Sequence, residues 1–314
     1  MIPLEAIGQA RRRIEGAALR TPLVGMAVDA PCEIHLKLEC LQPIGSFKIR
    51  GATNAIRSAD PAALEHGIVT ASAGNMGQGV AWAAREAGVA SIVAVPEHAP
   101  EAKTTAIERL GGRILRVPYD AWWRAIEESR VDGVDGLFVH PVQDEPVMVG
   151  NGTIGLEIVD DLPEPDAVVV PFGGGGLVTG IGSALRQLSR RTRIYTVEPE
   201  TAAPLAASLA AGRPREVDYR PSFVDGAGAR LVLPPMWPRV QEVVDEALVV
   251  TLQETAEAVR LLAERARVVA EGAGALALAA ALAGRAGPGR VVCVVSGGNI
   301  DSDKLAAILE GQTP

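Results

Sequence analysis

The sequence predicts an α/β protein built on parallel sheet. Three observations carry that expectation. From Gly67 to Val139 short apolar runs alternate with amphipathic stretches, and the rhythm resumes from Ala167 to Glu198. Such alternation is the pattern of βαβ units whose sheet is covered on both faces. Gly88, Gly111-Gly112 and Gly133 fall where the helical stretches should stop, as glycine does at helix C-termini. Two strand-like runs lead straight into glycine-bearing turns that open helices, at Gly45–Gly51 and at Phe172–Leu177.

In chain order, Leu4 to Gly16 reads as a helix, which Thr21-Pro22-Leu23 breaks. Ile34 to Glu39 is a strand, and Phe47 to about Arg57 a helix. Strands follow at Gly67–Ala71, Ser91–Val95, Arg113–Val117 and Leu137–Val139, interleaved with helices at Asn75–Ala87, Glu101–Leu110 and Ala121–Val131. A helix from Pro146 to about Asp161 ends at Pro163 and Pro165. Then come a strand at Ala167–Phe172, a helix at Leu177–Arg190 and a strand at Arg193–Glu198. Ala211 to Pro238 is rich in Pro, Gly and Arg and shows little periodicity. Thr251–Arg267 and Gly272–Ala283 are helices, and the second is small and apolar all round, so it should be buried. Arg290–Val295 is a strand and Asp303–Leu309 a last helix.

A chain of 314 residues suffices for one large domain or two sharing a core. Hydrophobic residues make up 48% and aromatics only 4%, so the core is expected to be Ala, Val, Leu and Ile. The net charge is −8, without a basic stripe, which argues against nucleic acid and membrane as partners. Arg11-Arg12-Arg13 fits the solvated face of the opening helix. Cys32, Cys40 and Cys293 have neither disulfide-framework nor zinc spacing. No signal-peptide h-region and no transmembrane-length apolar run is visible, so a cytoplasmic protein is expected. No regulatory segment follows Pro314, and feedback control through an appended domain is not expected.

The chemistry-bearing stretches sit at strand-to-helix junctions. In Gly45-Ser46-Phe47-Lys48-Ile49-Arg50-Gly51, Ser46 can cap a helix whose first turn holds Lys48. A cation there opposes the helix dipole, which favours the free amine that a Schiff base requires. A lone lysine is more often a snorkelling surface group. Phe172-Gly173-Gly174-Gly175-Gly176-Leu177 lets several backbone amides converge on one anion at a helix N-terminus. It is neither a Walker loop nor a clear dinucleotide fingerprint. In Ser72-Ala73-Gly74-Asn75-Met76-Gly77, Asn75 can cap the following helix.

The run Lys37–Ala52 resembles the lysine motif of the fold-type II pyridoxal-phosphate enzymes, in the threonine/serine dehydratase and serine racemase branch. The three further motifs occur in the same order. The resemblance implies a tryptophan synthase β-like fold: two three-layer α/β domains, mostly parallel sheets, and the cofactor in the cleft between them. It implies a large pyridoxal-phosphate-binding domain of residues 1–56 and 146–314, with a small domain of 57–145 inserted. A homodimer is the expected assembly.

By the same resemblance, Lys48 carries pyridoxal 5'-phosphate covalently and then serves as general base, with Phe47 beside it. Gly173, Gly174, Gly175, Gly176 and Leu177 hold its phosphate. Asn75 meets its phenolic oxygen. Ser296, in Ser296-Gly297-Gly298-Asn299, meets its ring nitrogen, and a hydroxyl there leaves that nitrogen neutral and suits elimination. Ser72, Ala73, Gly74 and Met76 form the substrate loop. Met76 stands where relatives usually carry histidine, which points away from plain serine or threonine. Asp225-Gly226 and Glu271–Ala275 resemble further segments near the cofactor. Glu198-Pro199 resembles the start of a divalent-metal site, but Pro204 stands where a second carboxylate is needed, so no metal is expected. His140 and Asn151 read as structural, and Tyr119, Trp122 and Trp123 as packing of the small domain.

The implied reaction is α,β-elimination from a β-hydroxy-L-amino acid, giving a 2-keto acid and ammonia. An amino-acid racemase and a β-replacing synthase are the alternatives. In serine racemases a serine precedes the Gly-Asn pair; here it is Ala73, which transfers no proton. The synthases usually carry Asn-Pro before the lysine, where this chain has Gln42-Pro43.

Overall fold

The computed structural model describes all 314 residues, Met1–Pro314. The chain opens with α1 (Leu4–Arg13), β1 (Leu23–Met26), β2 (Glu33–Lys37) and α2 (Lys48–Ser58). It continues through β3 (Ile68–Ala71), α3 (Asn75–Glu86), β4 (Ser91–Pro96), α4 (Glu101–Arg109), β5 (Arg113–Val117), α5 (Tyr119–Glu128) and β6 (Leu137–Phe138). α6 (Glu145–Asp161), β7 (Ala167–Pro171), α7 (Gly176–Leu188), β8 (Arg193–Pro199) and α8 (Pro204–Ala211) follow. The remainder is α9 (Trp237–Val243), β9 (Glu246–Val250), α10 (Leu252–Leu261), α11 (Gly272–Leu282), β10 (Arg290–Val294) and α12 (Ser302–Leu309).

These strands make two sheets. One has six strands in the order β1-β2-β10-β7-β8-β9, the other four in the order β5-β4-β3-β6. Every pairing is parallel except β1 with β2. The alternating strands and helices of 67–139 thus build the four-stranded sheet, while strands from both ends of the chain share the six-stranded one.

The larger sheet separates two apolar layers, and strand parity shows why. Ala167 and Val169 of β7, with Val291, Cys293 and Val295 around β10, belong to one cluster. Val168, Val170, Val292 and Val294 belong to the other. Successive strand side chains point to opposite faces, so an all-apolar strand feeds both layers. α11 fills the first layer, buried from Gly272 through Ala281, as its uniform small apolar sequence predicts. α6 and α7 fill the second.

Four elements escaped the sequence pattern. β1 lies where Thr21-Pro22-Leu23 reads as a break; it is an edge strand of mixed exposure, with little apolar alternation to betray it. α8 and α9 bracket the aperiodic segment, each starting with proline in its first turn. β9 pairs with β8 at the other edge. Edge strands and short helices carry weak periodicity because only one side of them faces the core.

A buried ionic network ties the start of α2 to the sheet. Arg50 Nε donates to Glu39 Oε2 at 2.8 Å and its Nη1 to Glu157 Oε1 at 2.6 Å. Lys37 Nζ donates to Glu157 Oε2 at 2.6 Å, and Thr21 Oγ1 to Glu39 Oε1 at 2.5 Å. Burial pushes the Glu39 carboxyl up, but the Arg50 charge and its hydrogen bonds outweigh that and hold it below the usual range. No helix is long and apolar enough to cross a membrane.

Candidate active site

The carboxyl ends of β3, β7 and β10 lead into one cavity of about 1050 Å³. This is where open α/β sheets expose backbone amides and loop side chains. The residues singled out from sequence all line it: Phe47 and Lys48, Ser72 to Met76, Gly173 to Leu177, and Ser296. Four segments distant in sequence therefore converge on one space.

Lys48 is the first residue of α2, and its Nζ donates to the Pro141 carbonyl at 3.0 Å. It also lies 5.1 Å from the centre of the Phe47 ring. The chain has four lysines. Lys37, Lys103 and Lys304 are each paired with a carboxylate, to Glu157, Asp225 and Asp301. Lys48 is the exception. Burial lowers its pKa to about 8, opposed by the charge of Glu271. Desolvation, rather than the helix dipole, is the main cause of the lowered pKa. The capping expectation for Ser46 also shifts: the cap position is Phe47, and Ser46 Oγ accepts the Lys48 amide at 3.4 Å. Ser46 instead bridges Gly297, and the Phe47 amide donates to the Ser296 carbonyl at 3.0 Å. The lysine turn is thereby fastened to the end of β10.

Asn75 is not a cap. Gly74 holds that position, and Asn75 opens α3. Its Nδ2 donates to Glu271 Oε1 at 2.8 Å, and its Oδ1 accepts from Asn299 Nδ2 at 2.7 Å. A carboxamide has two N–H donors, so one remains for a bound group. Ser72 Oγ accepts the Gly74 amide at 3.2 Å and so tightens the loop around Ala73. Met76 borders the cavity but is 2% exposed and packs with Ala52, Val80, Val139 and Val147. Its apolar character answers to that cluster as well as to the cavity.

From Gly174 to Gly176 the glycine loop at the N-terminus of α7 has room only for backbone. A Cβ on Gly174 would stand 2.5 Å from Val142 Cγ2, and one on Gly176 2.7 Å from the Val142 carbonyl oxygen. Gly175 has φ +94°, the left-handed region that favours glycine. Asn151 Nδ2 donates to the Gly176 carbonyl at 3.3 Å, while its buried Oδ1 has no partner in the protein. It lines the same cavity, so it supports the loop as well as the helix it stands on. An anion cradle, an amine of lowered pKa and a spare amide donor around one cavity fit a phosphate-bearing aromatic aldehyde.

Glu271 is the residue that sequence reading left without a role. It is 5% exposed, lines the cavity, and stands just before α11. Burial and the Asp225 charge raise its carboxyl to about 8, against the Asn75 hydrogen bond. The signal was present: an acid that opens an otherwise small and apolar helix has to find a polar partner elsewhere.

Other expectations resolve locally. His140 Nδ1 accepts the Val142 and Gln143 amides at 3.0 Å each, and burial lowers its pKa to about 4. It is a satisfied core histidine, and it shapes the turn whose Pro141 carbonyl receives Lys48. Glu198 accepts the Leu205 and Ala206 amides at 2.9 and 2.8 Å, so its carboxylate caps α8. Tyr119, Trp122 and Trp123 do more than pack their own unit, for all three line the cavity.

The chain belongs to the pyridoxal-phosphate dependent enzyme family, whose model matches residues 14–297. It is 40% identical to the L-threonine ammonia-lyase of Thermotoga maritima over 319 aligned positions, covering 98% of this chain and 78% of that one. Among solved structures, a T.th. threonine deaminase superposes with a TM-score of 0.86 at 34% identity, covering 96% of this chain and 99% of that one. Maize serine racemase gives the same TM-score of 0.86 at 31% identity, over 98% and 96% of the two chains. The fold-type II architecture expected from the lysine motif is the one observed.

Proposed function

We propose that this protein is a pyridoxal-phosphate-dependent ammonia-lyase that converts a β-hydroxy-L-amino acid into a 2-keto acid and ammonia. The observation that carries the reading is Lys48: a lysine without an acidic partner, its pKa lowered to about 8, in the same cavity as the tetraglycine loop. The cofactor, when bound, supplies the electron sink. The residues of this chain do the rest. Gly173 to Gly176 and Leu177 would take its phosphate on backbone amides, Asn75 would offer its free N–H to the ring oxygen, and Ser296 would meet the ring nitrogen. Lys48, with Phe47 beside it, would be the covalent attachment point and then the base that removes the α-proton. Ser72, Ala73, Gly74 and Met76 receive the substrate carboxylate at the start of α3.

The racemase reading has serine racemase neighbours in its favour. Against it stands Ala73, which offers no proton to the face opposite Lys48. In the same reading, residues 57–145 form an inserted unit between 1–56 and 146–314, the enzyme is cytoplasmic, and it assembles as a homodimer. The test is to follow ammonia and 2-keto acid release from L-threonine, L-serine and bulkier β-hydroxy amino acids. Stoichiometric keto acid and ammonia are expected. Conversion to the opposite enantiomer at the rate of ammonia release would replace the lyase by a racemase.

A further inference from the structure

The chain has only eleven Phe, Trp and Tyr residues in all, four, four and three respectively. Three of them, Tyr119, Trp122 and Trp123, sit on α5 at i, i+3 and i+4, the spacing that places side chains on one helix face. Their rings form a continuous series. His98 stacks on Tyr119 with centroids 6.2 Å apart, Tyr119 lies 5.8 Å from Trp122, and Trp122 lies 6.3 Å from Trp123. Aromatic pairs favour centroid separations of about 4.5–7 Å, so this is one packed wall. The inner edge of the wall meets the core cluster of Val69, Ala71 and Ala94. Its other side lines the cavity that holds Lys48, and Tyr119 remains 47% exposed there.

Packing alone does not require that side. A helix covering a sheet hides its aromatics against the strands, and α5 already has Ala125 and Ile126 buried for that purpose. The cavity is also roomy. At about 1050 Å³ it sits at the upper end of ligand pockets, which run to about 1,000 Å³. A cofactor with a substrate whose side chain ends in one methyl group would leave the wall facing water. Large aromatic faces gain most when a flat apolar partner excludes that water.

We infer that the substrate carries a planar aromatic group on its β-carbon, seated against Tyr119 and Trp122, so that the preferred compounds are 3-aryl-3-hydroxy-L-amino acids. This rests on the ammonia-lyase reading and names its substrate class. The reaction balances without a further reactant. The Cα–H bond breaks, its electron pair forms the Cα–Cβ double bond, and the β-hydroxyl leaves with a proton as water. The resulting enamine takes up one water, and the products are an aryl pyruvate and ammonia.

The experiment compares kcat/KM of the holoenzyme for L-threo-3-phenylserine and L-threonine, reading phenylpyruvate or 2-oxobutyrate together with ammonia. Phenylserine is expected to be favoured by roughly tenfold or more, the scale of one good stacking contact. Trp122→Ala and Tyr119→Ala should each lower the phenylserine-to-threonine ratio, mainly through KM, and Trp122→Phe should restore most of it. Tyr119 is exposed enough that its removal leaves the core intact. Threonine turned over as well as phenylserine, with ratios unmoved by either alanine variant, overturns the inference and leaves the lyase reading standing. If neither compound releases ammonia, the lyase reading fails. The wall is then decided by the shift in cofactor absorbance on adding L-phenylalanine or L-alanine: tighter binding of phenylalanine, lost in Trp122→Ala, keeps the aromatic seat, and equal binding removes it.

Discussion

Asn75 Nδ2 and Glu271 Oε1 are joined by a hydrogen bond of 2.8 Å, across 196 residues of sequence. The bond connects the first residue of α3 to the residue that precedes α11. It couples the loop after β3 in the four-stranded sheet to the packed interior beneath the six-stranded one. It also orients the Asn75 carboxamide, whose oxygen is engaged by Asn299.

The Glu271 carboxyl is raised to about 8 in the folded protein. A group whose folded pKa is raised contributes stability that is present below its unfolded value and lost as pH climbs through the folded one. The cofactor-free protein should therefore lose stability between about pH 4.5 and pH 8 on account of Glu271. Glu271→Gln should flatten that slope, by a few kcal/mol across the window. Urea unfolding at pH 5 and pH 8 measures it. Identical pH slopes for the two proteins would show that Glu271 does not titrate there.

Lys48 should be the only lysine labelled by borohydride reduction of the cofactor-bound enzyme. Peptide mass mapping reads the result, and a label on Lys37, Lys103 or Lys304 would sink the assignment. Lys48→Ala should lower kcat by several orders of magnitude if, as proposed, one residue supplies both attachment and base.

Gly176→Ala should weaken cofactor binding by roughly tenfold or more, the effect of losing about one good anion contact. The added Cβ would stand 2.7 Å from the Val142 carbonyl oxygen, which belongs to backbone and cannot swing aside. Absorbance titration of the cofactor-free protein gives the affinity. Wild-type affinity would mean that the loop tolerates side chains and is no cradle.

The Arg50 network should be costly to break. Arg50 is 1% exposed and bonds both Glu39 and Glu157. Removing one member of a buried ionic cluster leaves the others uncompensated, at about 3–5 kcal/mol. Arg50→Ala should shift the urea midpoint accordingly. A loss of less than about 1 kcal/mol would show that the cluster behaves like a surface pair.

Ala73→Ser should raise conversion of substrate to its enantiomer while elimination stays detectable. On the proposed reading the hydroxyl would give the face opposite Lys48 a proton carrier that alanine lacks. Chiral chromatography beside an ammonia assay tests it. No gain in the opposite enantiomer would show that the position does not reach the α-carbon.

The sequence by itself determined the layered α/β class, the central strands and most helices, and the lysine, glycine and serine segments of the cavity. Those features are local. Strands buried on both faces read as unbroken apolar runs, as at Val168-Val169-Val170, and glycine turns declare themselves where backbone must approach an anion. Tertiary structure decided the rest. β1 became a strand only because β2 offers it an antiparallel partner. Glu271 acquired its raised pKa only when α11 was buried and Asn75 came within hydrogen-bonding distance. Tyr119, Trp122 and Trp123 read as packing residues, since helical spacing says which side chains share a face and not what that face meets. Contacts between residues far apart in sequence leave no period in the chain, and it is such contacts that set the surroundings of Glu271 and brought α5 to the cavity.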